Sequence, residues 1–198
     1  MTSAATSMPT LARSVLGRNG SVSLVHSVLL AIAGSLLLWV SAKVQVPFWP
    51  VPMTMQTFVV LGLGAAFGWR LGMATVALYL LQGAFGLPVF AGTPEKGIGL
   101  AYMAGPTGGY LAGFVLAAGI TGWLAECGFD RNVFTMGLAM LAGTVAIYAL
   151  GVGWLGALIG YEKAIQFGFV PFIPGDIAKL VLAAIVFPAA WTWLKRNG

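Results

Sequence analysis

The chain has 198 residues, of which 59% are hydrophobic and only 8% charged, with a formal net charge of +5. Soluble domains carry about 25% charged residues, so this composition excludes one and points to an integral membrane protein with lipid as its surroundings. The basic residues form no patch with interleaved aromatics, which excludes nucleic acid as a partner, and the single cysteine, Cys127, excludes an internal disulfide.

In chain order, residues 1–20 are polar and read as a cytoplasmic N-terminal tail, and 21–198 as a single six-helix membrane domain. Val22 to Val40 is the first span. Its apolar stretch exceeds the roughly 7–15 residues of a signal-peptide core, so the helix is read as retained. His26, the sole histidine, has no second His with which to hold a metal. Ser27, Ala31 and Ser35 recur every four residues, a small-residue stripe that serves either internal packing or the docking of a partner helix.

Lys43 to Pro52 is a loop with three prolines and two aromatics. Irregular backbone at membrane depth is tolerated only where it is buried in protein or lines a cavity, so it reads as a folded cap, with an interfacial belt around Trp49 as the alternative. Thr54, Gln56 and Thr57 open the second span, which runs to about Phe67. Gly68 to Gly72 reads as a tight turn into the third span, Met73 to Phe85. Gly86 to Pro106 is a second long, irregular loop, and loops of that length tend to be functional. Leu111 to Ala125 and Val133 to Ile159 are spans four and five, joined by a short polar turn. Gly160 to Gly175 reads as a third loop.

Span six is apolar from Leu180 to Leu194 apart from Thr192. Pro171 and Pro174 favour an extended approach, Gly175 a turn, and Asp176 the N-cap. The apolar run is about 22 Å long at 1.5 Å per residue, short of the roughly 30 Å of hydrocarbon, which places Asp176 and Lys179 at or just below the membrane surface. At i and i+3 the two share one helix face. A cation in the first helical turn faces the dipole with the wrong sign, so Lys179 needs an anion or a ligand nearby. The pair is either a structural ion pair or a ligand site.

With the N-terminus inside, the cytoplasmic side receives Arg13, Arg18, Arg70, Arg131, Lys195 and Arg196, and the outer side Lys43, Lys96, Lys163 and Lys179. That bias supports both termini in the cytoplasm. The chain has no Walker sequence, no metal-binding cluster and no nucleophile beside a base. What the outer end offers is apolar wall with a few directed polar groups, as a small-molecule pocket requires.

Five motifs then converge: Val51-Pro52-Met53-Thr54-Met55-Gln56-Thr57-Phe58, Gly68-Trp69-Arg70-Leu71-Gly72, Gly86-Leu87-Pro88-Val89-Phe90-Ala91-Gly92, Gly105-Pro106-Thr107-Gly108-Gly109-Tyr110 and Ile173-Pro174-Gly175-Asp176-Ile177-Ala178-Lys179. In this order they resemble the biotin-specific S components, the BioY family, of energy-coupling-factor transporters, over about Ala31 to Leu194. The resemblance implies an all-α six-helix bundle whose outer loops cap a biotin pocket. It implies uptake across the bacterial inner membrane with a transmembrane coupling subunit and a pair of cytoplasmic ATPases, and no cofactor. Asp176 would accept from the ureido N–H groups and Lys179 would donate to the ureido carbonyl.

From chemistry, Gln56 is a candidate pocket amide, and Phe90, Tyr102, Tyr110 and Trp49 are candidate walls. Lys43, Lys96 or the N–H groups around Gly108 are candidates for the carboxylate. The Ser27–Ala31–Ser35 stripe resembles the family's docking face. An S component for another vitamin and, less in keeping with the residues, an intramembrane enzyme or small channel stay open.

Overall fold

The computed structural model describes residues 8–16, 22–47 and 49–197. Among these, nine α-helices and one two-stranded ribbon form in the order α1 (Leu11–Leu16), α2 (Leu24–Lys43), β1 (Gln45–Val46), β2 (Met53–Thr54), α3 (Gln56–Phe67), α4 (Trp69–Ala84), α5 (Gly99–Met103), α6 (Gly108–Glu126), α7 (Val133–Ile159), α8 (Tyr161–Gly168) and α9 (Ile173–Asn197). Four helical stretches are long and apolar enough to cross a membrane: Leu24–Lys43, Gly108–Glu126, Val133–Ile159 and Tyr161–Arg196. The chain is a multi-pass, all-helical membrane protein. Helices α3 and α4, of 12 and 16 residues, are shorter.

Helix α6 is the centre of the bundle. It buries ten residues, from Gly109 to Ala125, and packs on α7, α3 and α4. Lipid gives two apolar helices no hydrophobic reason to associate, so close backbone approach has to do it. Glycine supplies that approach: a Cβ on Gly113 would come within 2.8 Å of Ile147 Cα, and one on Gly122 within 2.4 Å of the Trp69 nitrogen. Helix α2 by contrast turns Val25, Val28, Leu29, Ile32 and Leu36 outward, at 45% exposure or more.

Several boundaries differ from the sequence expectation. The turn expected at Gly68 to Gly72 is Gly68 alone, at φ +84°, and Trp69 is already helical. Thr54 lies in β2 ahead of the helix; Gln45 pairs with it across the ribbon. The loop from Gly86 to Pro106 contains α5, and Gly160 to Gly175 contains α8 and a 3-10 turn at Val170–Phe172. Asp176 is not an N-cap: α9 begins at Ile173 and carries Pro174 and Gly175 in its first turn. Proline there costs nothing, because that N–H has no intrahelical acceptor to lose. Of the expected tail, residues 1–7 and 17–20 lie outside the described residues. Thr10 and Ala12 are buried, and the Met8 N–H donates to the Glu126 carbonyl at 2.8 Å.

The same end, the one away from β1 and β2, is held by a buried aspartate. Asp130, fully buried in the α6–α7 turn, accepts the indole N–H of Trp191 at 2.5 Å. The Arg131 guanidinium lies 4.3 Å from the Trp191 ring and donates to the Pro9 carbonyl at 3.2 Å. One residue pair thus ties the N-terminal segment, the α6–α7 turn and the end of α9. Burial pushes the Asp130 carboxyl above the usual range, against the Trp191 N–H and Arg131, which pull it down.

Asp130→Ala leaves the indole N–H without its acceptor and should lower stability by about 1–3 kcal/mol, whereas Asp130→Asn keeps an acceptor and should lose less in thermal unfolding. A carboxyl with a raised folded pKa binds its proton more tightly when folded. Wild-type stability should therefore fall as pH rises from the ordinary Asp pKa through the folded one. That part of the pH slope should vanish in Asp130→Asn.

Candidate ligand-binding site

The first two turns of α9 place Asp176 and Lys179 on one face, aimed at the start of α3. Their ion pair closes at 3.0 Å, with both side chains 11% exposed. Lys179 Nζ also donates to the Thr54 carbonyl at 2.8 Å and to Thr57 Oγ1 at 2.9 Å, so its three N–H groups are all satisfied. Asp176 Oδ1 accepts from Lys179 and, at 3.4 Å, from Thr57 Oγ1; Oδ2 accepts a short bond from the Tyr148 hydroxyl of α7. An ionised carboxylate offers about four acceptor positions. Three are used, and one on Oδ2 is left.

These groups form one wall of a cavity closed by the β1–β2 loop (Val51, Pro52), by Phe90 and Ala91, and by Tyr102, Tyr110 and Phe172. The cavity is about 50 Å³, room for a few water molecules and well below the roughly 300–1,000 Å³ of small-molecule pockets. A ring-sized ligand must part these walls.

The aromatic walls are fixed by hydrogen bonds to backbone carbonyls. Tyr102 donates to Ala91 O at 2.8 Å, and Tyr110 to Gly168 O at 2.8 Å, which secures the end of α8. Phe90 stacks on Tyr102 with ring centroids 4.9 Å apart and meets Tyr79 edge-on at 5.5 Å. Gln56, 4% exposed, donates to Tyr79 Oη at 2.8 Å, and Tyr79 donates to Val89 O at 3.0 Å.

The structure therefore brings Asp176, Lys179, Gln56, Phe90, Tyr102 and Tyr110 to one cavity. It does not bring Trp49, which is 76% exposed. Lys96 is exposed on the second loop and outside the lining. Lys43 is outside it too, bonded instead to the carbonyls of Phe90 and Thr93. The Gly108 N–H is already given to Gly105 O at 3.0 Å. Of the small-residue stripe, Ser35 is fully buried, donates to Ile32 O and accepts from Gln82 of α4 at 3.2 Å. Ser27 and Ala31 are half-buried, so Ser35 is the stripe residue shown bonded to another helix of this chain.

Sequence reading passed over Tyr148 and Tyr79. Each is a tyrosine inside an apolar helix, whose hydroxyl must find an acceptor when buried. That requirement was the available signal. His26 bonds locally, its Nδ1 2.6 Å from Ser23 Oγ.

Comparison with known proteins decides the family. The BioY family model matches residues 8–196. The chain belongs to the BioY family. The biotin transporter BioY of Thermotoga maritima is 45% identical over 152 residues, 76% of this chain and 86% of that protein. The biotin transporter BioY of Rhizobium etli is 38% identical over 152 residues, 72% of this chain and 79% of that protein. Among solved structures, the fold resembles the 2.1 Å crystal structure of the S-component for biotin from an ECF-type ABC transporter. The TM-score is 0.73 at 22% identity, over 85% of this chain and 92% of that one. The BioY fold thus places an ion pair and a cage of aromatics at one end of the bundle.

Removing one member of a mostly buried ion pair strands the other. Lys179→Met alone should cost about 3 kcal/mol, and the double variant Asp176→Asn/Lys179→Met less than the sum of the singles. Thermal unfolding in detergent measures this; strict additivity would contradict the coupling drawn here.

Proposed function

We propose that this BioY chain captures biotin at the Asp176–Lys179 site and carries it across the bacterial cytoplasmic membrane as the S component of an energy-coupling-factor transporter. The observation that carries the proposal is a carboxylate and an ammonium held side by side in a largely apolar, aromatic-walled cavity, in a chain whose relatives are named biotin transporters.

The chemistry fits a cyclic urea. One of its N–H groups donates to the remaining acceptor position on Asp176 Oδ2. Its carbonyl oxygen takes one of the three Lys179 N–H groups, and Thr57 Oγ1 is the partner most readily given up, because it is a neutral hydroxyl acceptor that keeps its own O–H bond to Asp176 Oδ1. Phe90, Tyr102 and Tyr110 then flank an apolar ring, with Gln56 behind them. Because the cavity is about 50 Å³, entry requires the loops of Val51 and of Phe90 to separate.

In this reading α2, α3, α4, α6, α7 and α9 are the six spans, α3 and α4 being completed by the structured segments beside them. Residues 1–20 face the cytoplasm, as does the C-terminus, and the Asp176 end faces outward; Arg13, Arg70 and Arg131 share the cytoplasmic end in keeping with the positive-inside rule. The outward face of α2, apolar throughout its length, suits lipid or the transmembrane coupling subunit better than the buried stripe of Ser35 does. ATP hydrolysis belongs to separate cytoplasmic partners.

Equilibrium binding to the purified protein tests the substrate, with thiamine and riboflavin as controls. Selective, one-to-one binding of biotin is expected. Asp176→Asn should weaken it by about 1–3 kcal/mol, the worth of a charged hydrogen bond; because the change also strands Lys179 and costs stability, affinity is compared at a temperature where the variant is folded. Folded protein that binds none of the three, or a different vitamin in preference, overturns the assignment.

A further inference from the structure

The segment that carries Phe90 is held by its carbonyls. Val89 O accepts from Tyr79, Ala91 O from Tyr102, and both Phe90 O and Thr93 O from Lys43 Nζ, at 3.1 and 3.0 Å; Lys43 also reaches Thr93 Oγ1 at 3.2 Å. Three elements thus pin one loop. Tyr79 and Tyr102 are 0% and 6% exposed, whereas Lys43 is an exposed residue. The Lys43 bonds are part-buried and those of the two tyrosines buried, so the Lys43 bonds are the first of the set to exchange with water.

The segment is bounded by two glycines in the left-handed region. Gly86 and Gly97 stand at φ +91° and +93°, and a Cβ on either would meet nothing within 4 Å. Between them, Phe90 is a cavity wall. Lys43 is also the last residue of α2, from which the loop bearing Val51 and Pro52 departs. The two loops that must part are therefore joined through one ammonium group.

We propose that Lys43 is the latch of the pocket, a positioning residue that holds the Phe90 loop closed against the end of α2 and so sets how long a ligand stays. It does not touch the ligand: its three N–H groups are taken by Phe90 and Thr93. This rests on the biotin reading only for the choice of ligand.

The test compares dissociation of biotin and of biotinamide, which lacks the carboxylate charge, from wild type, Lys43→Met and Lys43→Arg. Loss of charge-assisted bonds should speed dissociation about tenfold in Lys43→Met, equally for both ligands and with association little changed. Lys43→Arg, which keeps a cation and donors, should recover most of the residence time. In ligand-free protein, hydrogen exchange should rise in the Lys43→Met variant at the amides of 89–97 and not in α6. Thr93→Val, which removes one Lys43 acceptor together with the hydroxyl's own bond to Phe90 O at 2.7 Å, should show changes of the same direction.

Unchanged dissociation overturns the latch. So does an effect on biotin that is absent for biotinamide, since that would make Lys43 a carboxylate ligand. If wild type binds no biotin, the substrate assignment fails, and unchanged exchange at 89–97 would then overturn the latch separately.

Discussion

An ammonium and a carboxylate within an apolar helix must be paired and hydrogen-bonded, or give up their charge. Lys179 and Asp176 meet that demand through Thr54, Thr57 and Tyr148, drawn from the β1–β2 ribbon, α3 and α7. Much of the pocket end is arranged by it. The ribbon must deliver the Thr54 carbonyl beside the first turn of α3. Helix α7 must pass close enough for Tyr148 to reach Oδ2. Helix α9 must be wound already at Ile173, so that positions 176 and 179 face the same way.

The rest of the fold makes this arrangement rigid on one side and openable on the other. Below the pocket, α6 and its neighbours approach through glycine and leave little room to shift. At the far end, Asp130 and Trp191 fasten the helix that carries the charged pair. Above the pocket the walls are loops, and their backbone is held by tyrosines from within and by one lysine from outside. In the proposed capture of biotin this contrast would let the aromatic loops part while the charged groups keep their places.

The two charged residues of the site were legible because charge in an apolar helix is rare and has to be explained. Of the aromatic candidates at the same end, Phe90, Tyr102 and Tyr110 line the cavity, whereas Trp49, on a loop of the same glycine- and proline-rich kind, does not. What stayed hidden had physical reasons. Tyr148 sits in 27 residues of apolar helix, where a single tyrosine is easily read as packing. Lys43 looked like a ligand group because its loop caps the pocket; only coordinates could reveal that backbone carbonyls of another loop had claimed it. Pro174 and Gly175 suggested a break before Asp176, yet proline in a first turn is compatible with the helix. Gly160 and Gly175 likewise bracketed what read as a loop and is in part α8. The serines of α2 marked a small-residue face, and spacing alone did not say whether it turned inward.

The most direct measurement is a structure of the chain with biotin bound. The ureido ring should lie within hydrogen-bonding distance of Asp176 Oδ2 and Lys179 Nζ. Thr57 Oγ1 should be turned away from Lys179, and Phe90 packed on the ring. A head group seated away from both charged residues, with the Asp176–Lys179–Thr57 network unchanged, would contradict this placement.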